Sequence, residues 1–130
     1  MEELNEYLRN RNRYTRNKTN SDRFKKKETS FLEKVFTNNE IIYCSRHQEP
    51  YKHYAARWAV KEAMLKAMGT GIGQGYALKD INVDNHSSGK PFVKLSGKLL
   101  KDCEDLRIST HVSLSHSAEY AVAQIILIQS

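Results

Sequence analysis

The sequence has few of the residues that staple small proteins together. Its two cysteines, Cys44 and Cys103, lie far apart in the chain and form no CxxC pair. Disulfide frameworks and zinc sites need several cysteines or histidines at short, regular spacings. The sequence therefore indicates neither of these architectures, and it favours a reducing compartment.

Long apolar runs are also missing. The longest one, Tyr120 to Ile128, is interrupted by Gln124 and is far shorter than the roughly 20 residues that a membrane helix needs. Residues 1–30 are polar and contain no apolar core of a secretory signal. We therefore expect a cytoplasmic protein without a membrane partner.

Positive charge is concentrated in one segment of the chain. The 130 residues carry a formal net charge of +6, and residues 1–30 hold nine lysines or arginines against five acids. A basic arm of this kind contacts nucleic acid in some proteins, but few aromatic side chains are interleaved here to supply platforms for stacked bases. We therefore favour a solvated tail over a nucleic-acid-binding arm.

The composition of the whole chain is that of one globular domain. Within it, helical periodicity covers the first half of the chain. Thr37-Asn38-Asn39-Glu40 is a capping-box pattern, in which two side chains satisfy free amides at the start of a helix. A longer, alanine-rich helix is predicted from Tyr51 to Met68 and is ended by Gly69. Two further helices are predicted, one from Arg23 to Phe36 and one from Ser96 to Leu106.

Alternating patterns predict two hairpins in the second half of the chain. The first pairs Leu78–Val83 with Phe92–Leu95 across a turn, and the second pairs His111–His116 with Tyr120–Ile128. Helices followed by hairpins, with a helix between them, are typical of an α+β fold. We therefore predict an antiparallel sheet packed against the long helix.

The long predicted helix carries the strongest chemical signal. At 3.6 residues per turn, Trp58, Glu62 and Lys66 lie on one face. A carboxylate and an amine presented together beside the glycine turn at residues 69–71 suit a phosphate bridged by magnesium. An exposed Glu–Lys pair, worth about 0.3–0.5 kcal/mol, has the same spacing. Spacing alone favours this plainer interpretation.

Five sequence blocks in a fixed order favour the phosphate-binding interpretation of Glu62 and Lys66 over the plain ion pair. They are residues 33–40, 54–63, 66–72, 89–91 and 111–116, and they include Arg57-Trp58-Ala59-Val60-Lys61-Glu62-Ala63 and His111-Val112-Ser113-Leu114-Ser115-His116. In this order and near this spacing, the blocks resemble the holo-[acyl-carrier-protein] synthase family, the small trimeric type of 4′-phosphopantetheinyl transferase. The resemblance runs from about Phe31 to Ile128.

The resemblance implies a reaction, partners and an assembly. Members of this family transfer the 4′-phosphopantetheine group of coenzyme A to a serine of an acyl carrier protein and use Mg²⁺. The resemblance therefore implies a magnesium-dependent transferase of fatty acid biosynthesis, active as a homotrimer with sites shared between neighbouring subunits. The general base stays open between a carboxylate and a metal-bound water.

The resemblance also implies roles for individual residues. Glu62 matches the family's glutamate ligand to magnesium and Lys66 matches the lysine that meets the phosphate oxygens, so these two are the expected catalytic residues. The residues expected to bind coenzyme A are Arg57, Lys61, Lys66, Gly69, Thr70, Gly71, Lys90, Pro91 and His111. Arg23 and Lys25–Lys27 are candidates for docking the acidic carrier protein, with a solvated helix face as the alternative.

The N-terminus departs from the family pattern. The family begins with a strand like Gly-Ile-Gly-Ile-Asp, whose aspartate is a second ligand to magnesium, but here no carboxylate lies between Arg9 and Ser21. We therefore divide the chain into an atypical basic segment, residues 1–22, and a phosphopantetheinyl transferase domain, residues 23–130. One carboxylate would hold magnesium weakly. The alternative function is therefore a catalytically impaired remnant that binds coenzyme A or carrier protein without turnover.

A shifted reading frame accounts for the missing strand. If Arg9-Asn10-Arg11-Asn12-Arg13-Tyr14 is encoded by AGG-AAT-AGG-AAT-AGA-TAT, the frame one nucleotide later encodes Gly-Ile-Gly-Ile-Asp. We therefore hypothesise that roughly the first twenty residues are a frameshifted translation of a family-like gene. Sequencing the coding DNA tests this hypothesis, because codons that cannot yield the motif in the shifted frame would contradict it.

Overall fold

A computed structural model describes the backbone of residues 21–117 and 119–130 and the side chains of residues 26–117 and 119–130. The chain divides into two units, Met1–Val35 and Phe36–Ser130. The described part of the first unit is helix α1, Ser21–Val35, which begins two residues before the predicted start at Arg23. Residues 1–20 lie outside the described residues. They include most of the expected basic segment, residues 1–22, and the residues to which the reading-frame hypothesis applies.

The second unit combines helices with two hairpins. Its helices are α2, Asn38–Ser45, α3, Pro50–Ala67, and α4, Gly97–Asp105. Its strands are β1, Ile81–Asn85, β2, Pro91–Leu95, β3, Ile108–His116, and β4, Ala121–Gln129. A short 3₁₀ helix, Leu78–Asp80, precedes β1. No helix in the described part of the chain is long and apolar enough to cross a membrane.

The strands pair as the alternating patterns predict. β1 pairs with β2 and β3 pairs with β4, and both ladders are antiparallel. Helix α3 packs against β4 and β3, and β2 lies beside β3. This arrangement confirms the predicted α+β fold with antiparallel strands packed against the long helix, but the described strands form two two-stranded sheets where one sheet was predicted.

Two predicted strand starts were wrong. The first strand was expected from Leu78, but residues 78–80 form the 3₁₀ helix, and the ladder begins at Ile81. Asp80 Oδ2 accepts from the backbone N–H of Ala77, which favours a tight turn over an extended chain. Strand β3 begins at Ile108, three residues before the predicted start at His111.

The predicted capping box is present at the start of α2. Thr37 Oγ1 accepts from the backbone N–H of Glu40, and Glu40 Oε1 accepts from the backbone N–H of Thr37 over 2.9 Å. Glu40 Oε2 also accepts from the backbone N–H of Val83 over 3.2 Å. One buried carboxylate therefore caps α2 and attaches it to β1.

The core of the second unit forms where α3, α4 and β1 meet. Its centre is a cluster of fully buried side chains, Met64, Leu65, Ile81, Leu99 and Cys103. Both cysteines are buried and free. Desolvation raises the pKa of Cys44 to about 12, so this thiol is protonated and unreactive at neutral pH.

Candidate functional site

Glu62 and Lys66 form an ion pair on helix α3. They lie one turn apart, and Lys66 Nζ donates to Glu62 Oε1 over 2.8 Å. This hydrogen bond lowers the pKa of the Glu62 carboxyl below its usual value, so the carboxylate is ionised at neutral pH. The Glu62 side chain is 24% exposed and the Lys66 side chain is 72% exposed. Both charged groups therefore reach the surface.

The glycine turn follows directly after Lys66. Gly69 donates its backbone N–H to Lys66 O over 3.0 Å and adopts a positive φ of 78°, a conformation that ends helices and favours glycine. Thr70 donates both its N–H and its hydroxyl to Leu65 O. The backbone N–H of Gly71 is held by Gln74 Oε1 over 3.2 Å. Five predicted site residues therefore lie together in the last turns of α3 and the turn that follows it: Glu62, Lys66, Gly69, Thr70 and Gly71.

Arg57 is connected to the second predicted element, the turn before β2. Arg57 Nη2 donates to Asn85 Oδ1 over 3.1 Å, and Asn85 Nδ2 donates to Gly89 O over 3.0 Å. Asn85 therefore links Arg57 to the turn that contains Lys90 and leads into Pro91, the first residue of β2. No motif predicted Asn85, because a single amide at the end of a strand carries no spacing signal.

The Arg57 guanidinium is buried but incompletely bonded. It lies over the ring of Tyr43, with Cζ 4.0 Å from the ring centroid, in a cation–π contact. Its Nε has no hydrogen-bond partner among the described residues. A buried donor without a partner carries a desolvation cost. Tyr43 also escaped the sequence prediction, since it belongs to none of the blocks that define the resemblance.

Lys61, expected near coenzyme A, is fully buried. Its ammonium group pairs with Glu40 Oε1 at 2.8 Å and donates to Leu78 O over 2.9 Å and to Ile81 O. Desolvation lowers the pKa of Lys61, and the Glu40 carboxylate opposes this shift. These contacts engage all three protons of the ammonium group. The placement supports a structural role, and a contact with coenzyme A stays a prediction.

His111 lies on the exposed face of β3, where it pairs across the ladder with Ile126. The hydrogen bonds and ring contacts of the described residues do not connect it with the Glu62–Lys66 pair. Its expected place beside the diphosphate therefore stays a prediction.

A group of histidine rings lies beside Tyr43 and Arg57. His53 stacks on His47 with ring centroids 3.8 Å apart and meets His116 edge-on at 5.0 Å. Burial, helped by neighbouring positive charges, lowers the pKa of His53 to about 4, so its ring is neutral at pH 7. The sequence did not predict this group, because the fold brings its members from α3, from the segment after α2 and from the end of β3.

Glu62 is the predicted site residue whose side chain could hold a metal ion. Across the described residues, no group of three or more His, Cys, Asp or Glu side chains is arranged around a common metal position. An ionised carboxylate is nevertheless a hard oxygen donor, and Mg²⁺ is commonly bound by one or two carboxylates together with water and substrate phosphates. The donor chemistry of Glu62 therefore fits Mg²⁺.

Comparison with known proteins points to one family. The family model described as the 4′-phosphopantetheinyl transferase superfamily matches residues 16–125. The chain is 52% identical over 101 residues to the holo-[acyl-carrier-protein] synthase of Syntrophus aciditrophicus, an alignment that covers 77% of this chain and 79% of that protein. It is 50% identical over 99 residues to the holo-[acyl-carrier-protein] synthase of Ruminiclostridium cellulolyticum, covering 75% of this chain and 74% of that protein.

Solved structures agree with these relatives. The holo-(acyl-carrier-protein) synthase of Bacillus anthracis, in complex with CoA (3′,5′-ADP), is 36% identical with a TM-score of 0.66 and covers 84% of this chain and 89% of its own. The Helicobacter pylori holo-[acyl-carrier-protein] synthase, in complex with coenzyme A, is 29% identical with a TM-score of 0.67 and covers 88% of this chain and 92% of its own.

Proposed function

This chain belongs to the 4′-phosphopantetheinyl transferase superfamily, and we propose that it transfers the 4′-phosphopantetheine group of coenzyme A to a serine of an acyl carrier protein. The serine oxygen forms a bond to the β-phosphorus of coenzyme A, and the bond from that phosphorus to the bridging oxygen breaks. The serine proton passes to a base, and adenosine 3′,5′-bisphosphate leaves. We assign the reaction to fatty acid biosynthesis in the cytoplasm.

The observation that carries this proposal is the exposed Glu62–Lys66 pair at the glycine turn. Transfer of a phosphoryl-type group mainly requires that negative charge is neutralised and that the reactants are held in line. Lys66 presents a positive charge to the diphosphate oxygens from the last turn of α3. The turn at residues 69–71 has no bulky side chain at two of its three positions, so a nucleotide can approach its backbone.

Glu62 is the residue that would hold Mg²⁺ in this chain. Its ionised, partly exposed carboxylate lies within 2.8 Å of Lys66, so the two charges reach the same patch of surface. When bound there, Mg²⁺ supplies neutralisation of the charge on the diphosphate.

Coenzyme A binding is supported by the position of Arg57. Its positive charge and its link through Asn85 to the turn at Lys90 suit an anionic group at this side of α3. The complexes of the Bacillus anthracis and Helicobacter pylori enzymes hold coenzyme A or its nucleotide part. We therefore assign coenzyme A to this chain as donor substrate.

Helix α1 offers a basic groove for the carrier protein. The groove has a volume of about 380 Å³ and is lined by Lys26, Lys27, Ser30, Phe31 and Lys34. Arg23 and Lys25 belong to the same helix. A positive groove of this kind would guide an acidic carrier protein by electrostatic attraction, an effect that weakens as salt rises. The acidic surface of the partner is the feature that this docking requires.

A homotrimer is part of the same proposal. The outward face of β4 exposes Val122, Ile126 and Ile128 to solvent, at 66%, 50% and 50% of their surface. Exposed apolar side chains that share one face of a strand are often covered by a partner. Association through this face would remove them from water and bring neighbouring subunits next to β3, which carries His111.

The proposed function is tested by mass spectrometry of the carrier protein. The chain is incubated with apo acyl carrier protein, coenzyme A and Mg²⁺, and we expect the carrier protein to gain the mass of one phosphopantetheine. Glu62→Gln should lower kcat by about 10² or more, because the charge that the transition state needs is lost. The stability of this variant should change by less than about 1 kcal/mol, since the exposed ion pair contributes little.

Glu104→Gln is the matched control for this experiment. It removes an exposed carboxylate from α4 and should leave the rate unchanged. Unchanged turnover in Glu62→Gln would remove Glu62 from the mechanism, and no mass gain with the unmodified chain would contradict the transfer itself.

The departure at the N-terminus favours a second candidate, a remnant that binds coenzyme A or carrier protein without turnover. No carboxylate lies between Arg9 and Ser21, where the family resemblance places an aspartate ligand. Replacing residues 9–13 with Gly-Ile-Gly-Ile-Asp separates the two candidates. If the restored chain transfers and the original chain only binds coenzyme A, the remnant interpretation is correct.

A further inference from the structure

The glycine-rich segment after α3 has an anchor at each end. Between Gly69 and Gly75, three of the four glycines adopt positive φ angles of 78°, 80° and 115°. Residues 72–75 are exposed, with Ile72 among them. Glycines lose more conformational freedom on ordering than other residues do. Contacts at the ends of this segment therefore decide how well it is ordered.

The entry anchor lies within α3 itself. Thr70 makes two hydrogen bonds to Leu65 O, one from its N–H over 2.9 Å and one from its hydroxyl over 3.2 Å. These bonds continue the last helical turn and fix the start of the segment.

The exit anchor is a side-chain contact with helix α4. Tyr76 donates its hydroxyl to Asp102 Oδ2 over 2.6 Å, and Lys98 Nζ lies 5.5 Å from the centroid of the Tyr76 ring. The ring also packs against the core cluster of Met64, Leu65, Ile81, Leu99 and Cys103. This hydrogen bond raises the pKa of Tyr76 to about 12, so the hydroxyl stays a donor at physiological pH.

We infer that Tyr76 and Asp102 are a positioning pair, which holds the glycine-rich segment in the conformation that receives the diphosphate of coenzyme A. This inference rests on the proposed function. Neither residue lies in the sequence blocks that define the family resemblance. Asp102 acts through Tyr76, and Tyr76 acts through the backbone of the segment.

The anchor changes the conformational entropy that is lost when coenzyme A binds. If the exit anchor is lost, residues 71–75 sample more conformations in the free protein, and coenzyme A must order them when it binds. A hydrogen bond to a charged acceptor is among the stronger ones in proteins. We therefore expect weaker binding of coenzyme A with little change in the chemical step, because Glu62 and Lys66 are held by α3 and not by this anchor.

The test uses two variants of the full chain, Tyr76→Phe and Asp102→Ala, which remove the donor and the acceptor of this hydrogen bond. Tyr76→Phe keeps the ring and removes only the hydroxyl. Hydrogen exchange of the amides of residues 71–75 should become several times faster in both variants. The Kd for coenzyme A, measured by calorimetry, and its KM should rise about three- to tenfold, while kcat changes less than twofold.

Tyr51→Phe is the matched control for loop order. It removes another tyrosine–carboxylate hydrogen bond, from Tyr51 to Glu49 Oε1 at 3.1 Å, at the other end of α3. It should leave exchange at residues 71–75 unchanged. A double variant, Tyr76→Phe with Asp102→Ala, should lose no more affinity for coenzyme A than the single variant that binds it more weakly, because the two side chains act through one bond.

The outcomes separate this inference from the proposed function. Unchanged exchange at residues 71–75 in both variants overturns the anchor. Faster exchange with an unchanged Kd for coenzyme A overturns the positioning role. If coenzyme A does not bind the unmodified chain, the proposed function fails, and the exchange measurement still decides whether Tyr76 and Asp102 anchor the segment.

Discussion

Lys61 and Glu62 are consecutive residues of α3 with opposite surroundings. Successive side chains on a helix point about 100° apart, so one enters the interior and the other reaches the surface. Lys61 is enclosed with Glu40, whereas Glu62 is partly exposed beside Lys66. The same sequence block therefore contains a residue that holds the fold together and a residue that is available for chemistry.

The buried pair predicts a large loss of stability when one charge is removed. Lys61→Met leaves the Glu40 carboxylate buried without its counter-ion, and we expect the free energy of unfolding to fall by about 3–5 kcal/mol. Adding Glu40→Gln removes the uncompensated charge and should recover part of this loss. Urea unfolding followed by circular dichroism measures both values.

Lys79→Met provides the control for that series, because Lys79 is an exposed lysine on the neighbouring 3₁₀ helix. It should change stability by less than about 0.5 kcal/mol. A stable Lys61→Met variant with a raised KM for coenzyme A would show that Lys61 binds substrate and that the structural assignment is wrong.

His53 predicts a loss of stability in acid. In the unfolded chain its pKa is about 6.5, but burial first, and then the charges of His47, His116, Arg57 and Lys52, lower the pKa to about 4 in the folded state. The unfolded chain therefore binds the proton first, so stability falls as the pH drops from about 6.5 towards 4.

His53→Phe removes this titration and keeps an aromatic ring among its neighbours. We expect the loss of stability between pH 7 and pH 4 to become smaller by roughly 1 kcal/mol, a value reduced for solvent screening at a partly exposed site. Measurement at pH 8, where His53 is neutral in both states, isolates the packing change. The assignment is wrong if the variant and the original chain lose stability equally.

At the scale of elements, helix α4 packs against the 3₁₀ helix that follows the glycine-rich segment. Gly97 is the first residue of α4 and has a φ of 59°, and a Cβ atom there would come within 2.6 Å of Asp80 Oδ1. Asp80 cannot move away freely, because its backbone carbonyl accepts from Ser96 and its carboxylate from Ala77. The contact requires a residue without a side chain.

Gly97→Ala should therefore destabilise the protein by about 2–4 kcal/mol, through backbone strain together with the clash. Gly73→Ala is the control, since Gly73 has a φ of 80° but no atom within 4 Å of the added Cβ. It should cost about 1–2 kcal/mol from strain alone. Equal losses in the two variants, measured by urea unfolding, would contradict the close packing of α4 on Asp80.

Local patterns predicted the elements well, and long-range contacts explain what they missed. Thr37 and Glu40 form the predicted capping box because its geometry depends on four consecutive residues. The spacing of Glu62 and Lys66 also fixed their contact. The burial of Lys61 depends on Glu40 and on the 3₁₀ helix at Leu78, and the link through Asn85 depends on β1 reaching α3. These contacts join residues that no local spacing connects.

At the scale of the whole molecule, the outward face of the β3–β4 hairpin exposes three large apolar side chains of β4 beside polar side chains of β3. Its inward residues face α3, while Val122, Ile126 and Ile128 point outwards opposite Ser115, His111 and Ser109. Burial of such side chains contributes roughly 25 cal/mol for each Å² removed from water. This face is therefore where association of subunits would gain most.

The last prediction concerns this face. If the chain forms the proposed trimer, light scattering should give about three times the 15.0 kDa of one chain. Ile126→Asp places a charge in the centre of the face and should convert the trimer to monomers, because an unpaired charge is costly to bury. Ile42→Asp is the matched control, since Ile42 is 65% exposed on α2. This variant should leave the mass unchanged.

If the site is shared between subunits, Ile126→Asp should also abolish phosphopantetheine transfer, while circular dichroism shows that the variant stays folded. A monomeric variant that transfers at the original rate would show that one subunit holds the complete site.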